Sequence, residues 1–186
     1  MKFSNFVLTL LCVVFLSNFY GCSKCDQAQE RFHQFMKYEL EGQRYDPIPK
    51  EGLSEKLPVR NFISQNVFFS TTWANVIDGY KIVSCEGDET IKLVVQFEVF
   101  GILAPAASDS VVRFFNQPKE RIETVLVRSE NNLQRIDITT LPMISKETAE
   151  KKLKNILPTL GKSERKIVNS ALAQIQNLPK AASQKK

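Results

Sequence analysis

Histidine is almost missing from this 186-residue chain: His33 stands alone. A Ser-His-Asp or Cys-His constellation needs a histidine oriented by a third group, and a multi-histidine metal site needs several. One residue all but excludes both. Glycine is sparse too, with seven scattered singly, whereas a phosphate-cradling loop needs several close together. No Asn-x-Ser/Thr triplet occurs, so nothing argues for a glycosylated chain. No apolar run approaches the ~20 residues that span a bilayer. The run from Phe6 to Leu16 stops at 11 residues and is broken only by Thr9. There is no internal repeat and no low-complexity tract.

That 11-residue run is informative for its place as well as its length. Met1-Lys2 supplies a positive start, and Ser17 and Asn18 turn the chain polar again. A short basic start, a short apolar run and a polar exit make the pattern of a secretory signal peptide. The next residues, Phe19-Tyr20-Gly21-Cys22, resemble the lipobox of bacterial lipoproteins. In that family an aliphatic residue and two small ones precede a cysteine that is lipidated and becomes the mature N-terminus. Gly21 and Cys22 follow the pattern; Phe19 stands where the family has Leu, and Tyr20 is bulkier than the family's residue. The resemblance implies a signal peptide over residues 1–21, a lipid on Cys22 and a membrane anchor in the cell envelope. With Ser23 next, it implies the outer membrane, facing the periplasm. A second cut stays open: Gly21 and Ser23 are small residues at −3 and −1 of an ordinary signal-peptidase site after Ser23, which would release a soluble secreted protein.

The chain has four cysteines. Cys12 leaves with the signal peptide, and Cys22 is either lipidated or removed. Cys25 and Cys85 remain, an even pair in an oxidising compartment, where a disulfide is expected. It would close a loop of about 60 residues, worth about 4 kcal/mol in the chain-entropy description. Two free thiols are the other reading.

About 165 residues then remain, enough for one domain with its own core. Apolar content of 43% and charged content of 24% are those of a globular protein. The net charge of +5 is unevenly placed: residues 22–145 hold 14 basic and 17 acidic residues, residues 146–186 hold 10 and 3. The basic character belongs to the C-terminal end. Such a surface attracts anionic headgroups or an acidic partner. Export makes nucleic acid a poor fit.

Residues 26–41 carry Ala28, Phe32, Phe35, Met36 and Leu40 on one helical face, and Gly42 can end that helix. Three prolines make 43–61 a loop, with room for one short helical turn around Gly52 to Leu57. Residues 62–74 fit a helix or a strand. Tyr80–Cys85 and Thr90–Phe100 read as a hairpin around Glu86-Gly87-Asp88-Glu89, the second strand alternating apolar and polar residues with period two. A loop follows over 104–120, with room for a short helix at Ser110–Phe115. A second hairpin runs Arg121–Arg128 and Leu133–Leu141. Ser145 caps a helix to Leu157, and Ser163 caps a last one to Leu178. The expected class is α+β: an N-terminal helix packed on a four-stranded antiparallel meander, with C-terminal helices. The divisions are a signal peptide over 1–21, an α+β domain over 22–157, a C-terminal helix over 158–180 and a disordered tail over 181–186. The element order over residues 26–157 is similar to cystatin-like folds and to the conical fold of nuclear transport factor two. That likeness implies a pocket between helix and sheet and assigns no catalytic residue.

Three spacings resemble chemical motifs and lack the rest of them. Cys22-Ser23-Lys24-Cys25 is CxxC, but it abuts the signal segment rather than a strand and helix start, and Asp26 stands where haem attachment needs His. Glu30 and His33 have Glu-x-x-His spacing without the second such pair that a di-iron bundle requires. Ser163 and Lys166 have Ser-x-x-Lys spacing without its companion motifs. No catalytic residue, metal site or cofactor is therefore expected. The body offers one hint. It is rich in phenylalanine, with 13 in the chain, and some of these could line an apolar pocket, for which Phe68, Phe69, Trp73 and Phe97 are the candidates. The expected function is an exported envelope lipoprotein acting as a non-enzymatic binding module for a small apolar ligand or a protein partner. The alternative is a small enzyme of a cone-shaped fold, using Tyr80 or a carboxylate such as Glu98 as an acid/base pair inside the cavity.

Overall fold

A computed structural model describes residues 24–47, 58–64, 72–105, 111–131 and 133–179. The signal segment, Cys22, the short turn expected around Gly52 to Leu57, Phe68, Phe69 and residues 181–186 lie outside the described residues.

Helix α1 occupies residues 24–40. Ala28, Phe32, Phe35 and Met36 recur at helical spacing and are all buried, which is why this amphipathic segment is helical and which face it buries. Gly42, at φ 72°, turns the chain out of the helix. Five strands follow: β1 (Ala74–Glu86), β2 (Thr90–Pro105), β3 (Val112–Glu130), β4 (Leu133–Asp137) and β5 (Met143–Ser145). Helices α2 (Lys146–Ile156) and α3 (Lys162–Gln176) close the fold.

The protein is α+β. The sheet order is β4-β3-β2-β1-β5. Neighbours β1 to β4 are antiparallel. β5 pairs with β1 in parallel over Asn75–Ile77, so the sheet is mixed and five-stranded rather than a four-stranded meander. A three-residue strand is invisible to periodicity. Met143-Ile144-Ser145 reads as the approach to a helix, and only the pairing with β1 makes it a strand. Residues expected to form a loop or short helix at 112–120 instead belong to β3, which runs for 19 residues. Pro118 suggested the loop, but it sits where β3 has an extra residue against β2, between the pairs Val99↔Lys119 and Gly101↔Asn116. A bulge tolerates a missing N–H. The last helix starts at Lys162, and its end is closed by Glu164, whose carboxylate accepts the Gly161 N–H at 2.8 Å. Ser163 is therefore inside the helix and does not cap it. Ser145 does cap α2: its hydroxyl accepts the Thr148 N–H at 3.1 Å.

The bulges divide the core in two. β1 and β2 slip register between Val76 and Ile77, and again between Ile77 and Gly79. Side chains alternate along a strand, so one extra residue sends the following side chains to the opposite face. Ile77, Phe97, Val99 and Val125 pack under α1 in one cluster. Val76, Leu103, Val112 and Phe114 pack under α2 and α3 in another. Strand β5 lies between them, with Met143 in the first cluster and Ile144 in the second. The sheet is thus covered on one face by α1 at one end and on the other face by α2 and α3 at the other end. Glycine is required at the switch: a Cβ on Gly101 would lie 2.3 Å from the Phe115 carbonyl oxygen and 2.7 Å from the Phe114 ring.

Cys25 and Cys85 form a disulfide across 60 residues. It fastens the first turn of α1 to the hairpin end of β1, where Lys24 also pairs with Asp88.

Candidate functional site

Past the bulges, the sheet continues the face that α1 covers elsewhere. Asn75, Ile102 and Phe115 form one cross-strand row there, through the pairs Asn75↔Ile102 and Ile102↔Phe115. Ala104 and Arg113 pair in the next row. Trp73 immediately precedes β1, and one more step of alternation would put it on this face. Trp73 is 45% exposed and Phe115 42%, among the few large apolar side chains that reach solvent. Between them Asn75 is fully buried, and neither its side-chain oxygen nor its nitrogen has a hydrogen-bond partner. A buried carboxamide is normally paired, and leaving it unpaired costs roughly 1–3 kcal/mol. An apolar rim around a polar floor group is the composition of a small-molecule site.

Two other surfaces hold polar groups in open grooves. One, of about 490 Å³, follows α1 and is lined by Asp26, Glu30, His33 and Lys37 among others. His33 lies on the exposed side of α1, and its Nδ1 is 2.8 Å from the Tyr80 hydroxyl. Burial pushes the Tyr80 phenol up to about 12, so it stays protonated at neutral pH and is a poor base. The second groove, of about 600 Å³, opens at the start of α3 beside Lys162, Arg165 and Lys166. Arg165 is already committed to backbone carbonyls, donating to Leu160 O at 2.8 Å.

The fully buried carboxylate of Glu39 is also committed. It pairs with the fully buried Arg44 at 2.5 Å and accepts the Met143 N–H at 3.0 Å. Glu98 is exposed on the face opposite Phe97. The two residues named for acid/base work are thus on opposite faces, since Tyr80 packs with Phe97. Among the described residues no group of three or more His, Cys, Asp or Glu could hold a metal ion, and no helix is long and apolar enough to cross a membrane.

No family model, curated protein or solved structure matches this chain. The site therefore stands on its own geometry.

The residues named from the sequence are placed as follows. Cys25 and Cys85 are joined. Phe97 is fully buried in the core under α1. Trp73 is exposed next to Ala74, which pairs with Leu103, six residues along β2 from Phe97. At about 3.3 Å per residue that separates the two by roughly 20 Å, so they do not line one cavity. Asn75, Ile102 and Phe115 were missed. Asn75 did carry a signal: it is the one polar residue in the run Ala74-Asn75-Val76-Ile77, where a strand buried on both faces has no place for an unpaired amide.

Proposed function

We propose that this protein is an exported, lipid-anchored binding module. It takes a small apolar ligand, or an apolar side chain of a protein partner, on the face formed by Trp73, Ile102 and Phe115. The observation that carries this reading is the buried, unpartnered amide of Asn75 beneath exposed aromatic rings. A ligand that displaced the side chains over this amide would gain from one hydrogen-bonding head, an amide, carboxyl or hydroxyl, on an apolar body. Anchoring at Cys22 is supported by the signal-like segment before it and by the Cys25–Cys85 disulfide, a bond characteristic of oxidising compartments. The disulfide holds the start of α1 to one end of β1, and Trp73 lies beyond the other end, ~35 Å along the strand. An anchor at Cys22 would leave the ligand face turned away from the membrane.

Trp73 is the chain's single tryptophan, so its fluorescence reports on this face alone. Titration with dodecanamide is expected to shift its emission to the blue, saturably. Asn75→Leu and Phe115→Ala should weaken the response at least tenfold, as expected for loss of one hydrogen bond or one ring contact. A spectrum that never changes with dodecanamide or dodecanoate would sink the ligand reading. Palmitate labelling that persists in Cys22→Ser would sink the anchor.

A further inference from the structure

Strand β3 is far longer than its outer neighbour. β4 pairs with it only from Leu126 to Glu130, and β4 is itself covered where Phe62 O accepts the Ile136 N–H and Ser64 donates to Ile136 O. At the other end Pro118 marks the bulge and has no N–H to give. Between these limits, Lys119–Val125 forms a seven-residue sheet edge that no strand pairs among the described residues. Ile122, at its centre, is the most exposed large apolar residue described, at 66%. An unpaired edge is a template for another strand.

The edge is complementary to itself. When two copies pair antiparallel about a two-fold axis through Ile122, Ile122 meets Ile122 of the second copy. Arg121 then faces Glu123, and Glu123 faces Arg121. Glu120 lies opposite Thr124, and Lys119 lays its apolar stem against Val125. Arg121 and Glu123 already pair within the strand on one face, so the two copies would close a ring of four alternating charges. Moving the axis to Arg121 or to Glu123 sets like charge against like, which is destabilising across strands. Only the register centred on Ile122 fills the whole free stretch without entering the lane of β4.

We infer that the β3 edge at Lys119–Val125 pairs with the same edge of a second copy, joining two sheets into one across an isologous interface. This surface is separate from the Trp73 face and is independent of its ligand.

The experiment is sedimentation velocity on the mature chain carrying Cys22→Ser, so that no lipid drives association. The parent should dimerise in a concentration-dependent manner, with a dissociation constant at or below about 1 mM. Arg121→Glu and Glu123→Arg should each weaken the dimer roughly tenfold or more, because each places like charges together. Mixing these two variants should restore a dimer, since the changed charges then match across the axis, and the double exchange in one chain should restore it as well. Ile122→Cys should cross-link to a symmetric dimer under mild oxidation. A parent that stays monomeric overturns the inference. So do single variants that dimerise normally, or a mixture that remains monomeric while circular dichroism shows both variants folded.

Discussion

Glu39 and Arg44 are the residues on which the join between helix and sheet depends. Both side chains are fully buried. The carboxylate receives Arg44 from the turn after α1 and the Met143 N–H from β5, so one side chain ties α1 to the strand lying between the two cores. Arg44 also sits over the Phe35 ring. Removing Glu39 takes its closest counter-charge from Arg44 in a site shut off from water. Glu39→Gln should therefore lower stability by about 3–5 kcal/mol, read as a lower urea midpoint at unchanged slope. Adding Arg44→Met should recover part of that loss, not all of it, because the Met143 N–H still lacks its charged acceptor. A Glu39→Gln variant as stable as the parent would show that the pair is dispensable. From the sequence, Glu39 was one more polar position on an amphipathic helix. Nothing in helical periodicity distinguishes a carboxylate facing water from one facing an arginine five residues later.

At the scale of the element, the bulges decide what the strands do. β2 places Ile91, Leu93, Val95, Phe97 and Val99 at alternate positions, and its strand character was legible from that pattern. The pattern does not show that Phe100 is an extra residue against β1, after which Leu103 packs beneath α3 rather than α1. Gly101 permits the crossing. With the Phe115 carbonyl 2.3 Å from where a Cβ would be, Gly101→Ala forces the backbones of β2 and β3 apart. Overpacking of this kind costs about 1–3 kcal/mol. The melting temperature should fall by about 5 °C, and Trp73 emission should change because Phe115 moves with β3. A variant that melts with the parent would mean that the strands separate without strain at this point.

For the whole molecule, the disulfide is the one covalent tie between the start of α1 and the sheet among the described residues. The Lys24–Asp88 pair beside it is exposed and contributes little. The covalent bond instead closes a 60-residue separation and removes conformations from the unfolded chain, worth about 4 kcal/mol. Paired replacement of Cys25 and Cys85 by serine should lower unfolding free energy by up to about 4 kcal/mol, and adding reductant to the parent should produce the same loss. The first turn of α1 should then exchange its amides faster, while Phe32 and Phe35, held in the core, keep the rest of the helix in place. Equal stability with and without reductant would exclude this role.

The sequence by itself determined the α+β class, the amphipathic face of α1, the hairpin at Gly87 and the cap of α2 at Ser145, and it offered the pairing of Cys25 with Cys85 as one of two readings. Each rests on local spacing or on parity, which one chain carries in linear order. The tertiary structure decided the fifth strand, the switch between two faces, the separation of Trp73 from Phe97 and the isolation of Asn75. Those depend on which residues lie side by side across strands, and a single extra residue at a bulge changes every neighbour beyond it. The free edge of β3 belongs with them. Lys119–Val125 was already half read as a strand, but only the shortness of β4 shows that its outer side is left for something else.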